Sequence, residues 1–164
     1  MSSSKPVIMN VANTLKRRAQ RGKGITIEEM QRVAGEVLES HTTKLRDTMM
    51  AAIADSREMI KQWRAGGDQK ALVEKLAVMA DEAQDQGRIY GNRLLTEVGA
   101  RLETFMSLLA SAAKTAAPNA KATIAIQLHL DAMMVAIDRP QHDKIDEAGQ
   151  VLLSNLELMQ RTIK

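Results

Sequence analysis

Apolar residues recur along this chain at intervals of three and four, the spacing that gathers side chains on one face of an α-helix. The first such stripe follows Thr26-Ile27-Glu28-Glu29, a capping box in which the threonine hydroxyl and the Glu29 carboxylate can satisfy backbone donors left over at a helix start. It runs through Met30, Val33, Ala34, Val37 and Leu38, crosses the polar Ser40-His41-Thr42-Thr43, and resumes at Leu45, Met49, Ile53, Ile60 and Trp63. The pattern predicts two helices, or one bent helix, ending at Gly66-Gly67. Asp68 is placed to cap the next helix, with Leu72, Leu76, Met79 and Ala83 on its apolar face and Gly87 as its stop.

A turn through residues 88–92 leads to another helix carrying Leu94, Val98, Leu102, Phe105 and Leu109, so these two helices should form an antiparallel hairpin. Pro118-Asn119 breaks the chain. Residues 124–137 are apolar on nearly all sides, as in a helix buried between neighbours, and Asp138-Arg139-Pro140 ends them. Ile145, Leu152, Leu156, Met159 and Ile163 mark a last amphipathic helix. Six helical segments on short connections make an all-α, up-and-down bundle the economical fold.

Composition agrees with that fold and narrows the chemistry. Aromatic residues make up 2% of the 164, so the core is built from aliphatic side chains, and a sheet is not expected. The length suits one domain. There is no cysteine, which removes disulfides, thiolate catalysis and Cys-ligated metal, and which is compatible with a reducing cytoplasm. No apolar run approaches the roughly 20 residues of a membrane span, and the first ten residues do not read as a signal peptide, so a cytoplasmic protein is expected. Lys5, Lys16, Arg17, Arg18, Arg21 and Lys23 lie in residues 1–24 with no acid among them. Those residues read as a solvated basic leader, and residues 25–164 as the bundle; without aromatics between the bases, nucleic acid is not an expected partner. Phosphate-binding glycine loops, paired zinc-protease histidines and serine elbows are absent, so no cofactor or metal is expected.

The segment Met79-Ala80-Asp81-Glu82-Ala83-Gln84-Asp85-Gln86-Gly87-Arg88-Ile89-Tyr90-Gly91-Asn92, followed by Leu95-Thr96-Glu97-Val98-Gly99 and Leu102-Glu103, resembles the site segment of bacterial histidine-phosphotransfer (HPt) domains. That family reads Ala-His-x-x-Lys-Gly, then small residues, an aromatic or Leu before Gly, and a helix with a Leu-x-x-Leu-Glu rhythm. Ala80, Gly87, Tyr90-Gly91 and Leu102-Glu103 match, and Leu128-His129-Leu130-Asp131-Ala132 is similar to a late helix of stand-alone members. The resemblance implies an HPt-like bundle with extra terminal helical segments. Its phosphoacceptor histidine aligns with Asp81, its lysine with Gln84 and its glycine with Asp85. Asp81 cannot become a phosphohistidine, and acyl-phosphate chemistry needs a Mg²⁺ pocket of carboxylates with a lysine. Asp85 adds negative charge where an acidic receiver domain would approach.

At about 100° per residue, Asp81 falls away from the Leu72–Ala83 stripe, on a mixed face with Glu74, Ala77, Val78, Asp85 and Arg88. Ala77, Val78, Asp81, Gln84, Asp85 and Arg88 are therefore the expected partner-binding set. His41-Thr42-Thr43-Lys44 repeats the His-x-x-Lys spacing and makes His41 the rival phosphoacceptor, although bulky Leu45 replaces the glycine. His129 and His142 read as structural or incidental. Three readings follow: a non-catalytic pseudo-phosphotransfer adaptor that binds a response-regulator receiver domain or a histidine kinase, an active phosphotransfer protein using His41, and a helical scaffold or homodimer built on residues 26–63.

Overall fold

A computed structural model of the protein describes residues 26–112 and 120–161. Among the described residues the chain is all-α with no strand: α1 Ile27–Arg64, α2 Gln69–Ile89, α3 Arg93–Ala112, α4 Ala120–Asp138 and α5 Glu147–Arg161. The leader, residues 1–24, the Pro118-Asn119 break and Ile163 lie outside the described residues.

The expected choice between two helices and one bent helix resolves as a single helix of 38 residues, with Ser40-His41-Thr42-Thr43 inside it. These polar residues cost a helix only tenths of a kcal/mol each, so they interrupt the apolar stripe without interrupting the backbone. The Glu29 amide donates to the Thr26 hydroxyl oxygen at 3.1 Å, the first half of the capping box.

The chain divides into two compact units, residues 1–41 and 42–164. In the first, every described residue is exposed, Met30, Val33 and Val37 included. In the second, Met49, Ile53, Ile60 and Trp63 of α1 join a core formed by Leu72, Leu76 and Met79 of α2, Val98, Leu102 and Phe105 of α3, Ile126, Leu130 and Met133 of α4, and Leu153 and Leu156 of α5. Arg46 pairs with Asp138 and Arg57 with Asp131, which fixes α1 and α4 antiparallel. α3 packs against α2, α4 and α5.

Gly87 is not the end of α2, which continues through it to Ile89. The glycine serves a close helix approach instead, because a Cβ there would lie 2.3 Å from Thr96 Oγ1. The reversal falls at Gly91, with φ of 67°, a left-handed conformation that favours glycine. Asn92 then caps α3: its side-chain oxygen accepts from the Leu95 amide at 3.2 Å and its side-chain nitrogen donates to the Ala136 carbonyl at 2.8 Å.

α4 corrects the expectation about apolar runs. Its 19 residues, with a mean hydropathy of 1.3, are long and apolar enough to cross a membrane by length and composition, while half of that stretch is buried within the protein. Neighbouring helices bury Ala125, Ile126, Leu130 and Met133 together with Thr123 and His129, whereas Ile124, Leu128 and Val135 are exposed, so the helix is covered on one side and not on nearly all.

Candidate functional site

Among the described helices α2 and α3 pack closely, and sequence explains why. Small residues face each other across it: Ala80 and Ala83 lie against Gly99, where a Cβ would come 2.9 Å from the Ala80 carbonyl oxygen, and Gly87 lies against Thr96. Ala80, Ala83, Gly87, Val98 and Gly99 are buried at the seam. A seam this tight leaves little freedom for one helix to slide on the other, so the outward faces of α2 and α3 form one rigid surface.

On that surface Asp81, Asp85 and Arg88 are exposed and Ala77 and Gln84 half-buried. Val78 is 56% exposed, an apolar side chain standing beside the charges as the helical spacing anticipated. Gln84 is the centre of a polar chain. Its side-chain nitrogen donates to Glu103 Oε2 at 2.9 Å, its oxygen accepts from Arg88 at 3.4 Å, and Arg88 also reaches Asp85 at 3.4 Å. Asp81, Gln84, Asp85, Arg88 and Glu103 together line an open concavity of about 390 Å³.

Glu103 is absent from the expected binding set because it comes from α3. Its place became readable only once Gly87 and Gly99 set the antiparallel register, which brings residue 103 beside residue 84. The concavity therefore carries three carboxylates against one guanidinium, with no histidine, lysine or hydroxyl among its lining groups. Such a surface has no strong nucleophile and no general base paired to one. Among the described residues no three His, Asp or Glu side chains gather as a metal site.

The histidines have separate fates. His41 closes the first unit and is exposed, as is Lys44 three residues on. His142 is exposed in the loop after α4, and its Nδ1 would lie 3.7 Å from a Cβ on Gly91. His129 is fully buried. Its Nδ1 lies 2.7 Å from the Ala125 carbonyl, and its ring stacks on Phe105 with centroids 5.3 Å apart. Burial lowers its pKa, the Ala125 hydrogen bond opposes that shift, and Arg101 adds to it. The imidazole is thus neutral, with Nδ1 donating, and its surroundings close it to a partner.

Comparison of the chain with protein-family models, with curated proteins and with solved structures finds no match.

Proposed function

We propose that the protein is a non-catalytic, HPt-like adaptor that binds a response-regulator receiver domain or a histidine kinase through the outward face of α2 and α3. The observation that supports this reading is the tightly packed α2–α3 pair, whose outer surface carries exposed apolar Val78 one helical turn from Asp81 and, further along α2, the Glu103–Gln84–Arg88 hydrogen-bond chain. An apolar anchor beside fixed charges is the pattern of a protein-docking surface. With Asp81 in the position that the family resemblance gives to the phosphorylated histidine, a permanent carboxylate stands where a transferable phosphoryl group would be.

The Arg46–Asp138 and Arg57–Asp131 pairs join α1 to α4, Ser56 meets Met79 of α2, and α3 packs against α2 and α4, an all-helical arrangement that supports an HPt-like bundle. The acidic concavity also selects its partner. A receiver pocket is itself acidic, so docking requires a bound divalent ion or basic groups on the partner to offset like charges.

The deciding experiment incubates the protein with a panel of phosphorylated receiver domains and kinases, follows binding by calorimetry, and follows label transfer in parallel. Binding without transfer supports the adaptor. Acid-labile label that disappears in His41→Ala replaces it with a displaced-site phosphotransferase, and no binding across the panel removes both readings.

A further inference from the structure

The α2–α3 turn and the loop after α4 are fastened to each other. Asn92 donates to the Ala136 carbonyl at 2.8 Å and accepts from the Gln141 amide at 3.3 Å, while the Arg93 amide donates to the Gln141 carbonyl at 2.8 Å. Between turn and loop lies an open concavity of about 340 Å³, lined by Arg88, Gly91, Arg93, Thr96, Glu97 and His142 among others. Its charge is the reverse of the acidic concavity beside it, with which it shares only Arg88.

Arg93 is exposed and makes no ion pair among the described residues. One of its terminal nitrogens donates to the Asp143 carbonyl at 2.8 Å, which holds the guanidinium against the loop without cancelling its charge. Glu97, the acid among the lining residues, is engaged by Arg101 at 2.7 Å. Arg88 is largely exposed and meets Asp85 and Gln84 only at 3.4 Å, a weak pairing that leaves it able to turn to a ligand. His142 stands over Gly91, where its Nδ1 would lie 3.7 Å from an added Cβ. The first amides of α3 do not make the site: Arg93 donates to Gln141, and Leu95 and Thr96 donate to Asn92. The Thr96 hydroxyl is likewise turned to the Asn92 carbonyl. The donors left for a ligand are the two guanidiniums and the imidazole.

We infer that this concavity binds a phosphate monoester, gripped by the Arg88 and Arg93 guanidiniums with His142 as a third donor. A planar guanidinium presents paired N–H groups that match two oxygens of a phosphoryl group. Two of them and an imidazole suit a tetrahedral dianion with three terminal oxygens better than they suit a planar, singly charged carboxylate. The hydrogen bonds that tie turn to loop hold Arg93 and His142 near each other before any ligand arrives, so binding has little backbone to order. The site opens to solvent, which leaves room for the rest of the ester. It uses neither Asp81 nor Glu103 and stands apart from docking at the acidic concavity. The phosphoryl group can be carried by a free small ester or by a phosphorylated side chain of another protein.

The test titrates the 15N-labelled full chain with glycerol phosphate and, separately, with a short phosphoserine peptide, at an ionic strength held constant with chloride. Amide shifts at Gly91, Arg93, Thr96 and His142 are expected to saturate with a Kd of about 1–10 mM. Arg93→Gln should weaken binding about tenfold, the scale of one lost charge-assisted contact. Lys70→Gln, which removes the same charge from an exposed position about 27 Å along α2 from Arg88, should leave binding unchanged. Tighter binding of glycerol phosphate assigns a free ligand, and tighter binding of the peptide a protein-borne one. Shifts that never saturate, that centre on other residues, that appear equally with the unphosphorylated peptide, or that weaken alike in Arg93→Gln and Lys70→Gln each overturn the site.

Discussion

Gly87 and Thr96 face each other across the α2–α3 seam so closely that a Cβ on Gly87 would lie 2.3 Å from the Thr96 hydroxyl oxygen and 2.7 Å from its amide nitrogen. In an exposed helix, Gly→Ala stabilises by about 1 kcal/mol. Here the clash reverses the sign, and Gly87→Ala should destabilise by about 1–3 kcal/mol, read as a lower urea midpoint. Thr96→Ala in the same chain should not restore stability, since the Thr96 amide and the Asn92 carbonyl oxygen, 2.9 Å from the same Cβ, remain in the way.

Gly35 supplies the opposite case. It lies within α1 with no atom within 4 Å of an added Cβ, so Gly35→Ala should strengthen the helix locally by roughly 0.5–1 kcal/mol. Slower hydrogen exchange of amides 30–40 would report it. Gly99→Ala should act as Gly87→Ala does, because its Cβ would come 2.9 Å from the Ala80 carbonyl oxygen and 3.0 Å from Gln84 Cγ. It should also disturb Gln84 and hence the concavity.

Periodicity made the helices readable, since Leu72, Leu76, Met79 and Ala83, and Leu94, Val98, Leu102 and Phe105, are buried as their spacing implies. It misled at Met30, Val33 and Val37, whose stripe has the same spacing but remains exposed. Periodicity reports which side of a helix is apolar and is silent on what covers it. Gly87 was misread for a related reason: glycine ends helices through its backbone freedom and admits close neighbours through its missing side chain, and one sequence does not separate the two uses. Glu103 could not be joined to Gln84 before the register of the hairpin was known. Asn92 likewise gave no sequence signal that its side chain would tie the α2–α3 turn to Ala136 at the end of α4.

That tie is testable. Asn92 is buried, donates to the Ala136 carbonyl, and accepts from the Leu95 and Gln141 amides. Asn92→Ala leaves these groups without their partner, at a cost of about 1–3 kcal/mol for each that water cannot reach. Asn92→Asp keeps the acceptor and loses the donor, so its loss in thermal stability should fall between wild type and Asn92→Ala.

His129 gives the protein a pH dependence of definite sign. Burial depresses the folded-state pKa below the ordinary value of 6.5, whereas the unfolded chain protonates near that value. The unfolded state therefore binds more protons as pH falls. The contribution of a neutral His129 to stability is complete above about pH 6.5 and is lost on acidification through the depressed folded-state pKa, with a slope of at most about 1.4 kcal/mol per pH unit. His129→Gln removes the titrating group and should flatten the stability profile between about pH 7 and pH 5 relative to wild type, whatever its effect at neutral pH. A profile that keeps its slope in the variant would place the proton uptake elsewhere.

Docking at the α2–α3 surface makes separable predictions for its apolar and acidic parts. Val78 is exposed and is not a member of the core cluster, so Val78→Asp should leave folding stability within about 0.5 kcal/mol. As a central anchor it should nevertheless weaken receiver binding by about 2 kcal/mol or more. Asp81→Ala removes a charge that meets the partner's cation, so its effect should depend on that cation: a loss of affinity of about 1–2 kcal/mol with Mg²⁺ present, and little change or a gain once EDTA strips the ion and like charges face each other. Titration calorimetry of each variant with and without Mg²⁺ separates the terms. If Val78→Asp and Asp81→Ala both bind as wild type does in either condition, the face is a solvated helix surface and the partner docks elsewhere.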